Sequence, residues 1–139
     1  MTSCPLCAPE GDDWTQLWSD DRCRVILCHD SDYPGFCRVI WAAHVAEMTD
    51  LAEEDRAHLM AVVWDVEAVL RAVMMPDKVN LASLGNQAPH LHWHVIPRFA
   101  DDRHFPDPVW AAPQRQGRAH SVDPVRLRAE LTAIRSSVE

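Results

Sequence analysis

Hydrophobic and polar residues alternate along the chain with two different periods, and each period predicts a different kind of element. Short apolar runs bounded by turn residues predict five strands, at residues 14–18, 23–29, 36–41, 79–84 and 90–99. A helical period predicts a long helix at 49–75 and a final helix from Asp123-Pro124 to about Ser137. Strands and helices in this order favour an antiparallel sheet covered by helices, which is an α+β fold.

The long helix shows the clearest pattern in the chain. Its apolar residues recur at helical spacing and form one stripe, at Leu51, Leu59, Val62, Val66, Val69 and Val73. Thr49 or Asp50 is predicted to cap its start, and Pro76 lies where a proline often ends a helix. Asp123 is the predicted cap of the final helix, with Pro124 in its first turn.

Length and charge exclude several classes of protein. The 139 residues predict a single domain over 1–139, with a formal net charge of −8 and only one lysine. No basic face is apparent for the phosphates of a nucleic acid, and no apolar run reaches the roughly 18 residues of a membrane span. The first residues lack the basic and apolar regions of a secretory leader, which predicts a cytoplasmic protein.

Three of the eight histidines alternate along the last predicted strand, in His90-Leu91-His92-Trp93-His94. Alternate side chains of a strand point to the same side, so the three imidazoles are predicted to share one face. Packing explains three such rings poorly, because each carries polar nitrogens that need partners. Two chemistries remain open, metal ligation and nucleophilic catalysis by a neutral imidazole. Carboxylates that could complete a catalytic metal site, Asp101 and Asp102, lie only beyond the strand end.

The segment His90–Ile96 resembles the signature of the histidine triad (HIT) family, in which three histidines alternate with apolar residues. The resemblance continues upstream in the expected order, through Tyr33–Trp41, His44, Asn80-Leu81 and Gly85-Asn86-Gln87, and spans about Arg22 to Phe99. It implies a HIT-like fold, a two-fold dimer, an N-terminal segment at 1–12 with possible zinc ligands, and a C-terminal tail and helix at 100–139.

The resemblance also implies an activity. It predicts a hydrolase or nucleotidyl transferase that acts at the α-phosphate of a purine nucleotide conjugate, such as a phosphoramidate or a dinucleoside polyphosphate. By resemblance, His92 is the nucleophile that forms a nucleotidyl-histidine intermediate, and His94 donates a hydrogen bond to a phosphate oxygen. His90 is expected behind them, where it orients His92 or serves a metal. Two alternatives are a nucleotide-binding or scaffolding protein with little activity, and a metal-dependent hydrolase that uses the triad as ligands.

The same resemblance assigns residues to the substrate. Asn80, Asn86 and Gln87 match positions near the phosphates or the leaving group. Asp30 matches a carboxylate that accepts hydrogen bonds from the ribose hydroxyls, although a role in the turn before Asp32 is also open. Ile26 and Leu27 are candidates for the base pocket, with packing as the alternative for at least one of them. Apart from the resemblance, the phosphates need local partners in an acidic chain, and the amides of the 85–89 loop and Arg98 are candidates. Trp110 is a candidate for contact with the nucleotide, with exposed packing as the alternative.

The sequence departs from the family pattern at two places. Phe36 stands where many members have a histidine after the Pro-Gly turn. The loop Asn86-Gln87-Ala88-Pro89 replaces a commoner arrangement that contains a hydroxyl residue. A glutamine donates a hydrogen bond but cannot give up a proton, so the acid for the leaving group stays open.

Cys4-x-x-Cys7 lies near the N-terminus and supplies two of the four ligands of a closed zinc site. One bacterial type of HIT protein completes such a site with the histidine before the long helix and the first triad histidine, which correspond here to His44 and His90. The resemblance therefore predicts a structural zinc and no organic cofactor. Free thiols and a redox motif are the alternatives. Of the remaining histidines, His58 lies off the apolar stripe and is predicted to be exposed.

Overall fold

A computed structural model describes residues 4–7, 11–118 and 120–137. The chain forms one five-stranded antiparallel sheet in the order β1-β2-β3-β5-β4. The strands are β1 Trp14–Ser19, β2 Cys23–Cys28, β3 Cys37–Trp41, β4 Lys78–Ala82 and β5 His92–Arg98. The helices are α1 Glu53–Met74 and α2 Pro124–Ser136, with short 3-10 turns at Pro5–Cys7 and Met48–Asp50. The predicted α+β class, the sheet and both helices are confirmed.

One face of the sheet carries the hydrophobic core. Alternate residues of each strand point toward the helices, as in Val25 and Leu27 of β2 and Val39 and Trp41 of β3. The apolar stripe of α1 covers them, through Leu59, Val62, Val63, Val66, Val69 and Leu70. The helix α2 adds Leu127 and Leu131 to the same core. This arrangement leaves the opposite face of the sheet free for polar side chains.

The opposite face brings chemistry-bearing residues of β3 and β5 side by side. Arg38 pairs with His94 and Ile40 pairs with His92 in the antiparallel register. Paired residues have neighbouring side chains on the same face of a sheet. The sheet therefore sets a guanidinium beside the two histidines.

The start of α1 and the start of β5 differ from the sequence-based predictions. Ala52 is the N-cap of α1, whereas Thr49 and Asp50 belong to the preceding 3-10 turn. The carboxylate of Asp50 accepts a hydrogen bond from the amide of Glu47 at 3.0 Å, so this local capping signal serves the separate turn. β5 begins at His92, two residues later than predicted. The predicted cap of α2 is confirmed, because the Asp123 carboxylate accepts from the amide of Val125 at 3.0 Å.

The segment after β5 has little regular structure, and one buried carboxylate organises it. Asp102 pairs with Arg98, with Nε to Oδ2 at 2.8 Å and Nη2 to Oδ1 at 3.0 Å. It also accepts hydrogen bonds from the amides of Phe99, His104 and Phe105. These bonds turn the chain back toward the sheet. Within the described ranges, no helix is long and apolar enough to cross a membrane.

Candidate active site

The centre of the site is a pair of histidines on β5. The rings of His92 and His94 lie edge to face, with their centroids 4.9 Å apart. Nδ1 of His92 lies 2.6 Å from the carbonyl oxygen of His90. A carbonyl oxygen only accepts, so Nδ1 of His92 carries the proton and Nε2 carries the lone pair. The backbone thus fixes the tautomer that a nucleophilic imidazole needs.

Burial keeps both rings neutral. His92 is 7% exposed and His94 is 5% exposed. Burial lowers the pKa of His92, an effect opposed by the bond to the His90 carbonyl and reinforced by the charge of Arg38. Burial, His92 and Arg38 together lower the pKa of His94 to about 3. Both imidazoles are therefore uncharged near pH 7, and a neutral ring can attack an electrophile.

The two histidines open into a cavity of about 380 Å³. Its wall includes the loop 84–88, Arg38 and Trp110, and two residues of the N-terminal turn, Pro5 and Leu6. The Trp110 indole is 51% exposed and meets the His94 ring edge to face, with centroids 5.0 Å apart. A larger, more open groove of about 680 Å³ runs along β4 and shares Leu84 and Trp110, but no histidine is among the described residues that line it.

His90 does not join the other two histidines in the cavity. It precedes β5, is fully buried, and directs its ring toward the N-terminal turn. That all three imidazoles share one face stays a prediction, and the packing of Leu91 and Val95 in the core agrees with the alternation behind it. The long-range partners of His90 hold its ring outside the cavity, because its Nε2 bonds the carbonyl of Trp41 and its Nδ1 lies 3.3 Å from Sγ of Cys7.

That ring nitrogen belongs to a group of four potential ligand atoms. These atoms all lie within 4.8 Å of one another, and they belong to Cys4, Cys7, His44 and His90. The measured separations are 3.5 Å from Cys4 Sγ to His90 Nδ1, 3.4 Å from Cys7 Sγ to His44 Nδ1, and 3.2 Å between the two Nδ1 atoms. Tetrahedral zinc with these ligand types separates neighbouring ligand atoms by roughly 3.3–3.8 Å. The bond from His90 Nε2 to a backbone carbonyl is the usual support of a metal-bound histidine. The residues fit a Cys2His2 zinc site.

The predicted substrate residues fall into three groups. Asn86 and Gln87 line the cavity of His92 and His94. Asn80 lies in the neighbouring groove, where its Oδ1 accepts from Arg98 at 2.8 Å. Asp30 is exposed, and its Oδ1 accepts from the amide of Asp32 at 2.9 Å, so one of its oxygens supports the turn.

The structure also places Leu27, Ile26 and Arg98. Leu27 lies in the core against the helices, on the opposite face of the sheet from the histidines, so the packing alternative accounts for it. Ile26 alternates with Leu27 and is buried on the histidine face. Arg98 is not a free phosphate ligand, because its guanidinium is 2% exposed and is bound by Asp102, Asn80 and the Asp107 carbonyl.

The histidines outside the triad and the metal cluster have other partners. His58 was expected to be exposed, but it is half-buried and bonds Asp20 at 2.7 Å and Arg22 at 3.0 Å. His104 is buried against the hydroxyl of Tyr33 at 2.6 Å. None of these residues lines the cavity.

Arg38 is the charged residue among those described in the cavity wall, and the sequence motifs did not identify it. The signal was present, since Arg38 is the one charged residue in the otherwise apolar run from Phe36 to Trp41. Such a charge inside a strand indicates a polar environment on one face of the sheet. The pairing with the histidine strand could not be inferred from the run itself.

A model of the HIT domain family matches residues 13–101 of the chain. Among solved structures, a histidine triad protein from Bradyrhizobium japonicum is 29% identical, with a TM-score of 0.70 and 92% of each chain covered. A histidine triad protein from Sinorhizobium meliloti is 26% identical, with a TM-score of 0.69 and 87% and 89% covered. A zinc-bound histidine triad family protein from Mycobacterium smegmatis is 24% identical, with a TM-score of 0.65 and 97% of each chain covered. The similarity to the Mycobacterium smegmatis protein, at 24% identity, shows the fold alone.

Among curated proteins, the AP-4-A phosphorylase of Mycobacterium tuberculosis is 33% identical over 78 residues. The match covers 52% of this chain and 40% of the relative. The chain thus spans less than half the length of that protein.

Proposed function

The chain belongs to the HIT domain family, and on that premise we propose that it is a hydrolase or nucleotidyl transferase acting at the α-phosphate of a purine nucleotide conjugate. The proposed substrates are phosphoramidates and dinucleoside polyphosphates. The observation that carries the proposal is the tautomer of His92, whose Nδ1 proton is held by the His90 carbonyl while Nε2 keeps its lone pair. The similarity to the mycobacterial AP-4-A phosphorylase supports a reaction of nucleotide phosphates.

The proposed reaction has two displacements at one phosphorus atom. Nε2 of His92 attacks the α-phosphorus and forms a nitrogen–phosphorus bond, while the bond to the leaving group breaks. The leaving group departs with the bonding electrons and takes a proton from water. Water then attacks the same phosphorus, the nitrogen–phosphorus bond breaks, and the lone pair returns to Nε2. A nucleoside monophosphate leaves, and the proton of the attacking water passes to solvent.

His94 and the preceding loop are proposed to hold the charge that develops during both displacements. His94 is neutral and buried beside His92, so a ring N–H is available to a phosphate oxygen without the cost of charging the ring. Asn86 and Gln87 line the same cavity and can donate through their amides. Donors that are in place before the reaction stabilise the transition state without reorganisation. Asp30 keeps its proposed role toward the ribose hydroxyls through the oxygen that the turn does not use.

The orientation of His90 favours the nucleophile over the alternative in which the triad holds a catalytic metal. Both ring nitrogens of His90 are engaged away from the cavity, by the Trp41 carbonyl and by the cysteine cluster. The three rings therefore do not converge on one point. Catalytic metal sites need three protein ligands around a common centre.

The experiment for this proposal is to trap the covalent intermediate. We expect that the full chain, mixed with labelled adenosine phosphoramidate or a diadenosine polyphosphate and quenched in base, carries an adenylyl group on the peptide that contains His92. Mass spectrometry of the digest locates the label. Release of AMP with no label on His92 at any time of quenching would contradict the covalent mechanism.

We also propose that Cys4, Cys7, His44 and His90 hold a structural zinc ion. All four positions are filled by protein ligands, so zinc bound there supplies a cross-link and leaves no open position for substrate. The cross-link joins the N-terminal turn, the segment before α1 and the start of β5, which are distant in sequence. Pro5 and Leu6 lie between the two cysteines and form part of the cavity wall.

Replacing Cys4 and Cys7 together with serine is expected to lower the zinc content from about one ion per chain to background. The thermal unfolding midpoint is expected to fall as well, because binding free energy of a structural zinc is folding free energy. Elemental analysis and calorimetry measure the two quantities. The control is Cys28→Ser, which changes a half-buried thiol of β2 outside the cluster. Equal zinc content in the double variant and the control would contradict the site.

A two-fold dimer is the proposed assembly. β4 forms one edge of the sheet, and an unpaired edge strand favours pairing or cover. Trp64 is 60% exposed and lies one helical turn before Glu67, which lines the groove beside β4. Covering this strip with a second copy would protect both the edge and the indole. A monomer mass in sedimentation equilibrium of the full chain at micromolar concentration would contradict the dimer.

A further inference from the structure

Arg38 lies on the histidine face of the sheet and in the wall of the catalytic cavity. It is paired with His94 across β3 and β5, and its guanidinium lies 5.9 Å from the centre of the Phe36 ring. Phe36 in turn meets the His94 ring edge to face, with centroids 5.5 Å apart. The guanidinium is therefore held at the rim of the two-histidine site. Among the described residues that line this cavity, none is acidic.

The guanidinium of Arg38 has fewer polar partners than those of the other arginines near the sheet. Arg98 and Arg135 each bond a carboxylate, Asp102 at 2.8 Å and Asp65 at 2.6 Å. Arg24 of β2 has no carboxylate partner among the described residues either, but it bonds the Leu6 carbonyl at 2.9 Å and lies over the Trp14 ring. No carboxylate in the described ranges lies within ion-pair distance of Arg38, and its Nε is buried without a hydrogen-bond partner there. A guanidinium has five donors and no acceptor, so a half-buried one without a carboxylate is suited to an anionic ligand.

We propose that Arg38 binds the nonbridging oxygens of the phosphoryl group that His92 attacks, and that it is a catalytic residue of this chain. The inference rests on the proposed function and adds the cation that the site needs. The overall charge of −8 repels a nucleotide at long range, and a local guanidinium supplies the opposite charge at the point of attack. The planar fork can bond two oxygens of one phosphate at once.

The contribution of Arg38 to the reaction is electrostatic. Its guanidinium keeps all its protons through both displacements, and no bond to it forms or breaks. Negative charge on the equatorial oxygens is spread through the transition state of phosphoryl transfer, and a fixed cation beside them lowers the barrier. The position also predicts selectivity, because a nucleoside without a phosphate makes no contact with Arg38.

The experiment compares AMP with adenosine as ligands of the wild-type chain and of Arg38→Met, a substitution that keeps most of the side-chain length and removes the charge. We expect the affinity for AMP to fall about 10- to 100-fold, as for a lost hydrogen bond to a charged group. The affinity for adenosine is expected to change less than about 2-fold, which also shows that the variant is folded. Turnover of adenosine phosphoramidate is expected to fall by about 10²-fold or more.

Two further variants separate the role of the fork from that of net charge. Arg38→Lys keeps the charge without the bidentate geometry and is expected to lie between the wild type and Arg38→Met. Arg126→Met removes the same charge from the exposed surface of α2 and is expected to bind AMP as the wild type does. If the wild type binds AMP more tightly than adenosine, and Arg38→Met binds AMP as tightly as the wild type does, this inference is overturned and the proposed function is not. A wild type with no such preference would overturn the proposed function together with it.

Discussion

Replacing His92 with alanine is expected to reduce the turnover of adenosine phosphoramidate and diadenosine polyphosphates by at least about 10³-fold. Among the described residues of the cavity, this ring nitrogen alone has its lone pair set by a backbone hydrogen bond, and the substitution removes it. Without it, hydrolysis needs direct attack by water, and the easier two-step route is lost. AMP binding is expected to persist, because Arg38, His94 and the loop 84–88 remain. Steady-state kinetics and calorimetric titration with AMP measure the two effects.

A matched control for His92→Ala is His58→Gln. His58 lies on α1, which covers the opposite face of the sheet, and a glutamine can keep a hydrogen bond to Asp20. Turnover is expected to stay within about 2-fold of the wild type in this control. A His92→Ala protein as active as the control would exclude His92 as the nucleophile. Loss of wild-type activity on chelation, with a metal found on His92 and His94, would support the metal-dependent alternative instead.

Replacing Asp102 with alanine is expected to lower the free energy of unfolding by about 3–5 kcal/mol. Both Asp102 and Arg98 are 2% exposed, and the substitution leaves the Arg98 guanidinium buried without its counter-charge. It also removes the acceptor for three backbone amides, those of Phe99, His104 and Phe105. Urea denaturation followed by tryptophan fluorescence measures the loss. The neighbouring residue offers the control, since the Asp101 side chain is 48% exposed and pairs only with His120 among the described residues.

The control Asp101→Ala is expected to change the free energy of unfolding by no more than about 1 kcal/mol, as is typical of an exposed pair. Equal losses in the two variants would show that the buried network contributes no more than a surface contact. The same assay reports any change in cooperativity, through the dependence of stability on urea concentration.

The Asp102 network also predicts a loss of stability in acid. Burial alone would raise the pKa of Asp102, but hydrogen bonds from Arg98 and from the amides of Phe99 and Phe105 outweigh it and lower the pKa to about 2. An unfolded aspartate titrates near 3.9, so the ionised form favours folding at pH values above about 4. That contribution is expected to decline as the pH falls from about 4 toward 2. Asp102→Asn should flatten the pH dependence of stability in this interval.

The strands and helices were predictable because their signals are local. Apolar alternation and the stripe from Leu59 to Val69 identify elements without knowledge of their partners. The starts of α1 and β5 differ from the predictions, because they depend on which hydrogen bonds the flanking residues form. Asp50 is a good cap residue, but it serves the 3-10 turn before α1, and the sequence gives no way to choose between two adjacent turns. His90 continues the strand pattern, yet β5 begins at His92, and the ring of His90 bonds the Trp41 carbonyl and contacts Cys7.

The histidines and cysteines of the candidate site could be predicted from the sequence, but the surroundings of its charged residues could not. The alternating histidines and the paired cysteines are dense local motifs, and the structure gathers them as two separate sites. Arg98 and Arg38 differ in their surroundings, and the local sequence pattern does not show this difference. Arg98 meets a buried carboxylate four residues later, whereas Arg38 is set opposite His94 by the strand register. His58 likewise acquires Asp20 from the turn between β1 and β2.

The hydrogen bond between Nδ1 of His92 and the carbonyl of His90 cannot be removed by exchanging the side chain of residue 90. The oxygen that holds the Nδ1 proton of His92 belongs to the main chain at position 90, while the side chain of the same residue is one of the four proposed zinc ligands. Every amino acid has that carbonyl, so no substitution at position 90 deletes the acceptor. Exchanges there are expected to report on the proposed zinc site, and the tautomer of the proposed nucleophile changes only if the path of the backbone between 90 and 92 changes. The hydrogen bond that sets the proposed reactive nitrogen is thus carried by chain geometry and is invisible to alanine scanning.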